Sequence, residues 1–130
     1  MSAPQATPDN TSSRDYPLSG ITVIDLSHVY NGPYATFLMA LAGATVIKVE
    51  PFVGEHLRSR GDMGGAALPF AMLNSNKKAV TLNLKTEKGR ELLREMAARA
   101  DILVENFAPG VMDRLGVGAA DLHKINSRLI

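Results

Sequence analysis

The stretch from Gly20 to Glu50 constrains the fold most, because a strand pattern, a helix pattern and a second strand pattern follow one another there without a long loop. Residues 21–26 are rich in β-branched side chains, which favours a strand. Pro33 suits the first position of a helix, and the almost wholly apolar residues 34–42 predict that this helix is buried. Gly43 should end it in a left-handed conformation, and residues 44–50 resemble a second strand.

A strand, a helix and a strand in this order predict a βαβ unit with parallel strands and a right-handed crossover. In open sheets of this kind, ligands bind in the crevice at the carboxyl ends of the strands. We therefore expect the loops at residues 27–32 and 50–54 to carry binding groups.

The same alternation continues along the chain. Residues 79–84 alternate as a strand, with Val80, Leu82 and Leu84 on one face. Thr86 is placed to cap an amphipathic helix over 87–99. The remaining predicted segments are a long glycine-rich loop at 52–67, a short helix at 69–74, a strand at 101–105, helices at 111–115 and 119–125, and the start of a strand at 126–130. The pattern predicts an α/β fold: a Rossmann-like, mostly parallel sheet with flanking helices.

The two ends of the chain differ in character. Residues 1–16 are rich in Ser, Thr, Pro, Asn and Gln, and we interpret them as a disordered leader. Because a strand pattern begins at residue 126 and does not finish, we interpret residues 17–130 as the incomplete amino-terminal portion of a larger α/β domain.

Charge and composition exclude several classes of partner. The chain carries 14 basic and 13 acidic residues, a net charge of +1, which gives no electrostatic footprint for nucleic acid or an anionic membrane. It has no cysteine, so disulfides and thiolate catalysis are excluded. No apolar run approaches the roughly 20 residues that cross a bilayer. We expect a soluble, cytoplasmic protein.

Two common binding signatures are missing from the sequence. The segment after the first strand lacks the G-x-G-x-x-G pattern, so a conventional dinucleotide site is not expected. His28, His56 and His123 lie far apart along the chain without an acidic partner at ligand spacing, so no metal site is predicted.

Three polar segments have two interpretations each on spacing alone. Asn31 and Gly32 could present backbone N–H groups to an anion or form a tight turn. The lysines at the turns could hold phosphates or be solvated; they are Lys77, Lys78 and Lys85. The segment 105–107 could place an amide and an aromatic face against a base or acyl chain, or form an Asx turn with a core phenylalanine.

Several residue strings together resemble the amino-terminal part of the class III CoA-transferases, a family that includes formyl-CoA transferase, carnitine CoA-transferase and alpha-methylacyl-CoA racemase. The likeness runs from Pro17 to Ile130 in unbroken order. The strings that carry it are PLSGITVIDLS at 17–27, NGP at 31–33, LAGATVIKVEP at 41–51, NSNKK at 74–78 and VENFAPG at 104–110.

The resemblance implies a large Rossmann-like domain that binds coenzyme A, a second small domain, and two subunits interlocked as a homodimer. The substrates would be an acyl-CoA and a carboxylate acceptor, with no permanently bound cofactor. By position, four residues match CoA-contacting residues of the family, namely Lys85, Asn106, Phe107 and Arg114. Leu82 matches a neighbouring contact, and Tyr30 and Asn31 occupy a loop that lies near the thioester in relatives.

The family reaction uses an aspartate that attacks the thioester, and none of the aspartates of this chain matches it. We therefore expect a CoA-binding front portion that is catalytically incomplete. Two positions depart from formyl-CoA transferase: Tyr30 stands in place of a glutamine, and Pro51 in place of an arginine that contacts the nucleotide. These departures argue against formyl or oxalyl transfer, but not against CoA binding.

Three alternatives stay open at this point. An acyl-CoA racemase or epimerase of the same family would share all of these motifs. A CoA- or nucleotide-binding module without catalysis would share the sheet alone. A third possibility is a chain that does not fold stably by itself, because an open sheet leaves an edge and an apolar face uncovered.

Overall fold

The computed structural model describes residues 16–60, 62–63 and 66–130. The predicted leader at 1–16 lies outside the described residues except for Tyr16. The strands are β1 Thr22–Asp25, β2 Thr45–Glu50, β3 Asp62–Met63, β4 Ala66–Ala67, β5 Lys78–Thr81 and β6 Ile102–Val104. The helices are α1 Asn31–Leu41, α2 Leu68–Asn74, α3 Glu87–Ala97, α4 Val111–Arg114 and α5 Ala119–Ile125, with a 3-10 turn at His56–Ser59.

Four strands form a parallel sheet in the order β5-β2-β1-β6. Val23 of β1 lies opposite Val46 on one side and Ile102 on the other, so β1 is a central strand. The carboxyl ends of all four strands meet at one edge, as parallel pairing requires. The predicted α/β fold with a parallel sheet and flanking helices is confirmed.

Two apolar layers cover the two faces of the sheet, because successive side chains of β1 point to opposite sides. Val23 joins the smaller layer, where Met39 and Ala40 of α1 pack. Ile24 joins the larger layer, which α3 and α5 cover with Leu93 and Leu122. The two-sided burial explains why β1 reads as a nearly continuous apolar run.

Helix α1 differs from its prediction in two respects. It begins at Asn31, so Pro33 is its third residue rather than its first. It is also not buried on all sides: Tyr34, Leu38 and Leu41 are 53, 46 and 49% exposed. One helix face is enough to cover the sheet, so sequence hydrophobicity alone overstated its burial. Gly43 follows with φ +98°, as predicted.

The strand predicted at 79–84 is shorter, since β5 ends at Thr81. The N–H of Leu82 still donates to the carbonyl of Glu50, after which the chain turns: Thr86 N–H donates to the carbonyl of Asn83. That turn leads directly into α3, which Thr86 caps through the N–H of Gly89, as predicted.

The glycine-rich segment is more ordered than a plain loop. It contains the 3-10 turn at His56–Ser59 and the antiparallel pair β3–β4. At the other edge of the sheet, the N–H of Ile130 donates to the carbonyl of Asp101 and its carbonyl accepts from the N–H of Leu103, but the strand predicted to start at 126–130 is not formed over these residues. None of the helices in the described part of the chain has the length and hydrophobicity needed to cross a membrane.

Candidate functional site

A cavity of about 320 Å³ opens at the carboxyl ends of the strands, where the sequence predicted a ligand crevice. Its wall is mostly apolar and combines the last residues of β2 with residues from the segments that follow β1, β2, β5 and β6. The lining consists of Leu26, His28, Val49, Glu50, Pro51, Leu82, Asn83, Leu84, Lys85, Phe107, Val111 and Leu115. An apolar pocket of this size with a few polar groups is typical of a small-molecule site.

The predicted site residues fall into two adjoining groups. Leu82, Lys85 and Phe107 line the main cavity. Tyr30, Asn31 and Asn106 line a shallower neighbouring cavity of about 190 Å³. His28 lines both and therefore stands between them.

Arg114 does not join either group. It is exposed at the end of α4, although Val111 at the start of this helix and Leu115 directly after it both line the main cavity. A Cβ built on Gly110 would lie 3.0 Å from Nη1 of Arg114, so the guanidinium folds back over the start of its own helix.

Lys85 is held by the turn between β5 and α3. The backbone N–H of Lys85 donates to Oδ1 of Asn83 at 3.1 Å, which fixes the turn, while the side chain is exposed at the mouth of the cavity. Within the described ranges, no carboxylate forms an ion pair with the Lys85 ammonium. Lys85 thus offers a cation to an anionic ligand.

Asn106 ties the tip of β6 to the tip of β1. Its Oδ1 accepts from the N–H of His28 at 2.8 Å, and its Nδ2 donates to the carbonyl of His28 at 2.9 Å. The local turn expected from Asn106 is instead closed by Glu105, whose Oε2 accepts from the N–H of Phe107 at 2.7 Å. The amide of Asn106 keeps a second N–H and one further oxygen lone pair that can meet a ligand.

A buried ionic network lies beneath these loops. Asp25 is fully buried, and its Oδ2 accepts from Nζ of Lys77 at 2.9 Å and from Oγ1 of Thr36 at 2.7 Å. Its Oδ1 accepts from the N–H and the hydroxyl of Ser27. Nζ of Lys48 lies 3.7 Å from Asp25 and donates to the carbonyl of Ser27 at 2.7 Å. The network fixes Ser27, near the start of the β1–α1 loop.

Lys77 is in neither of the two situations that the sequence allowed, a solvated side chain or one that holds a phosphate. Its side chain is only 1% exposed, and besides Asp25 it donates to the carbonyl of Pro33 and to Oδ1 of Asn74, each at 2.9 Å. A lysine with three internal acceptors is neither solvated nor free to hold a phosphate. Sequence spacing missed this because Asp25 and Lys77 meet only in the tertiary structure.

Opposing influences set the pKa values of this pair. Burial alone would raise the pKa of Asp25, but the charge of Lys48, the hydrogen bonds from Ser27 and Thr36 and the charge of Lys77 outweigh it and lower that pKa. Burial lowers the pKa of Lys77, against the hydrogen bond and charge of Asp25, which raise it.

His28 is a site residue that the sequence-based reasoning did not select. Its ring lies 5.4 Å from the Phe107 ring and 5.9 Å from that of His56, and Nδ1 is buried without a hydrogen-bond partner in the described structure. Burial and then the charge of Lys48 lower the pKa of His28, which favours a neutral imidazole. Its place directly after a strand, in a predicted crevice loop, was the available signal.

The other wall of the cavity is anchored by Glu50. Nε and Nη2 of Arg58 donate to the two carboxylate oxygens of Glu50 at 2.7 Å each, and the guanidinium stacks 3.8 Å from the centre of the Phe70 ring. The Arg58 hydrogen bond is the main cause of the lowered pKa of Glu50. Because both oxygens are engaged, Glu50 serves as a rigid wall.

The described residues contain no group of three His, Cys, Asp or Glu side chains that could hold a metal ion. What the geometry brings together is an apolar wall, one exposed ammonium and an amide. This combination suits a ligand with an extended apolar part and an anionic part.

Comparison with known proteins decides the family. The model of CoA-transferase family III matches residues 18–130. The chain belongs to CoA-transferase family III. The resemblance inferred from the residue strings is therefore confirmed, over nearly the same span.

Two curated relatives of this family III chain are acetyl-CoA:oxalate CoA-transferase of Acetobacter aceti and formyl-CoA:oxalate CoA-transferase of Streptomyces avermitilis. The first is 47% identical over 116 residues, covering 88% of this chain and 30% of the relative. The second is 45% identical over 117 residues, covering 87% of this chain and 28% of the relative. The chain thus spans under a third of the length of either relative.

Solved structures show the same family fold. The hypothetical protein Rv3272 of Mycobacterium tuberculosis superposes with a TM-score of 0.84 at 38% identity, covering 88% of this chain and 32% of that one. A CAIB/BAIF family protein from Brucella suis also gives 0.84, at 36% identity, covering 90% of this chain and 32% of that one.

Proposed function

We propose that the main cavity binds the coenzyme A part of an acyl-CoA, and that the natural protein containing this chain transfers CoA from an acyl-CoA thioester to a carboxylic acid. The observation that carries the proposal is the convergence of Leu82, Lys85 and Phe107 on one cavity at the strand ends of a family III fold.

Each of these residues has a chemical use. The ammonium of Lys85 suits a phosphate of the nucleotide because no carboxylate of the described chain competes for it. Phe107 and Leu82 supply apolar area for an adenine face or the pantetheine arm. The adjoining cavity, with Tyr30, Asn31 and Asn106, would receive the thioester end.

We propose that the carboxylate that attacks the thioester is not among the described residues. Asp25 lies near the site but is fully buried, and both of its oxygens accept internal hydrogen bonds. Glu50 is held by Arg58 in the same way. The contribution of this chain is then to bind and orient the substrate.

Transfer is favoured over racemisation because the relatives that are 45–47% identical are named as CoA-transferases. The transferred acyl group stays a prediction: Tyr30 and Pro51 argue against formyl or oxalyl transfer, whereas the two relatives are named as acetyl-CoA:oxalate and formyl-CoA:oxalate CoA-transferases. The interlocked homodimer and the cytoplasmic location are likewise predictions.

Calorimetric titration with coenzyme A tests the proposal in the natural protein that contains this chain. Lys85→Ala should weaken the affinity roughly tenfold, because one charge-assisted contact to a phosphate is lost. The loss should shrink at high salt, which screens exposed charges. Lys88→Ala is the matched control, since Lys88 is an exposed lysine on α3 that does not line the cavity. A wild-type protein that does not bind coenzyme A, or equal affinities in both variants, would refute the proposal.

A further inference from the structure

Val29 has an unusual backbone conformation in the loop between β1 and α1. Its φ is +67°, in the left-handed region that glycine adopts readily. A β-branched residue there is strained, by roughly 1–3 kcal/mol. Such a conformation persists only where surrounding contacts hold it.

Glu55 is one of the groups that hold this residue. Its Oε1 accepts from the N–H of Val29 at 2.8 Å, although the two residues belong to different strand-end loops. Asn106 bonds both backbone groups of the preceding residue, His28. The side chains of Glu55 and Asn106 therefore both hold the strained turn through hydrogen bonds to its backbone.

Glu55 is itself rigid. It is 2% exposed, and its Oε2 accepts from the N–H of Leu57 at 2.7 Å. Its own N–H donates to Oε2 of Glu50 at 3.0 Å, and Glu50 is in turn held by Arg58. The carboxylate of Glu55 is thus placed by the loop after β2, not by the loop that it bonds.

The residues after Val29 are Tyr30 and Asn31, which line the shallower cavity. The backbone angles of Val29 set the direction in which Tyr30 and Asn31 leave the loop, because these two residues follow Val29 directly along the chain. We propose that Glu55 is a positioning residue, which stabilises the left-handed Val29 so that Tyr30 and Asn31 face the acyl end of the ligand. This inference rests on the proposed function.

The test compares Glu55→Ala with Glu55→Ala/Val29→Gly in the natural protein, with acetyl-CoA as the probe in calorimetric titration. Glu55→Ala should weaken acetyl-CoA binding roughly tenfold, since Val29 can then relax toward negative φ. Adding Val29→Gly should recover about threefold, because glycine populates positive φ without strain. Recovery by a glycine is not expected from a merely structural role of Glu55.

Glu105→Ala is the matched control. Glu105 also accepts a backbone N–H at a strand end, that of Phe107, but it does not contact Val29. Glu105→Ala can lower the affinity for acetyl-CoA through Phe107, but adding Val29→Gly should not restore the affinity lost in that way. Where Glu55→Ala does not fold, Glu55→Gln replaces it: its single carbonyl oxygen can take the place of only one of the two carboxylate oxygens that bond Val29 and Leu57, and a smaller loss with the same glycine recovery is expected.

The outcomes separate the two proposals. If the wild type binds acetyl-CoA but Glu55→Ala binds equally well, or Val29→Gly brings no recovery, Glu55 is not a positioning residue and the proposed function stands. If the wild type does not bind acetyl-CoA, the proposed function fails and this inference fails with it.

Discussion

Asp25 shows what a single residue contributes at the end of the central strand. It is fully buried and shares its oxygens among Ser27, Thr36 and Lys77, with Lys48 alongside. Two buried lysines beside one carboxylate are stable only while that carboxylate is ionised and in place. The residue therefore supports both the fold and the position of the β1–α1 loop.

We predict that Asp25→Asn lowers the free energy of unfolding by about 3 kcal/mol, because two buried ammonium groups lose their counter-charge. Urea unfolding followed by circular dichroism measures it. Glu91→Gln, which breaks the exposed Lys88–Glu91 pair, is the control and should leave stability within experimental error. Equal stability of Asp25→Asn and wild type would show that the network contributes little.

The stability of wild type and of Asp25→Asn, measured as a function of pH, gives a second test of this network. The pKa of Asp25 is lowered in the folded state. Its contribution to the free energy of unfolding is therefore fully present above the ordinary aspartate pKa, and it is lost as the pH falls toward the pKa of the folded state. The stability difference between wild type and Asp25→Asn should therefore narrow below about pH 4. A difference that stays constant down to pH 3 would argue against this account.

At the scale of elements, α3 and the turn before it form one unit with the cavity. Thr86 caps the helix, and Asn83 and Lys85 of the same turn line the cavity. Gly89, in the first turn of the helix, is buried directly against the carbonyl of Asn83, with no room for a Cβ. The glycine is thus required by a close approach of two backbones.

We predict that Gly89→Ala destabilises the protein by about 1–2 kcal/mol, although alanine favours a helix by about 1 kcal/mol in an open position. The clash should displace Asn83 and so also weaken binding of coenzyme A. Thermal unfolding and calorimetric titration measure the two effects. Lys88→Ala, one residue earlier and exposed, is the control, and a more stable Gly89→Ala would contradict the packing argument.

For the whole molecule, the sheet order β5-β2-β1-β6 determines how well the backbone amides of each strand are protected from solvent. Strand β1 is paired on both sides, and Val23 and Ile24 are fully buried. Strand β5 lies at the edge, and three of its four residues are exposed. Exposed apolar side chains on α1, such as Tyr34 and Leu38, add a further uncovered area.

Hydrogen exchange should follow this difference in protection. We predict that amides of β1 exchange most slowly and those of β5 fastest among the four strands, because opening the centre requires breaking two ladders and two apolar layers. Mass spectrometry of peptic fragments measures the order, with exchange of the unfolded chain as the reference. A β5 that is as protected as β1 would mean that the edge is covered in solution.

The sequence by itself determined the elements and the family. Local periodicity predicted the strands of the sheet and the helices beside it. Residue type predicted Thr86 as a helix cap and Gly43 as a helix end, because caps depend only on neighbours within a few residues. The residue strings indicated CoA-transferase family III, which the family model confirmed. The early end of β5 and the position of Pro33 within α1 were missed because they depend on packing.

Only the tertiary structure decided how the site is held. The clamp of Asn106 on His28 spans 78 positions of sequence, the bond of Glu55 to Val29 spans 26, and the pair of Lys77 with Asp25 spans 52. Periodicity carries no information about such pairs, because they form only when the sheet brings distant strand ends to one edge. The physical reason is that strand pairing is local in space but not along the chain.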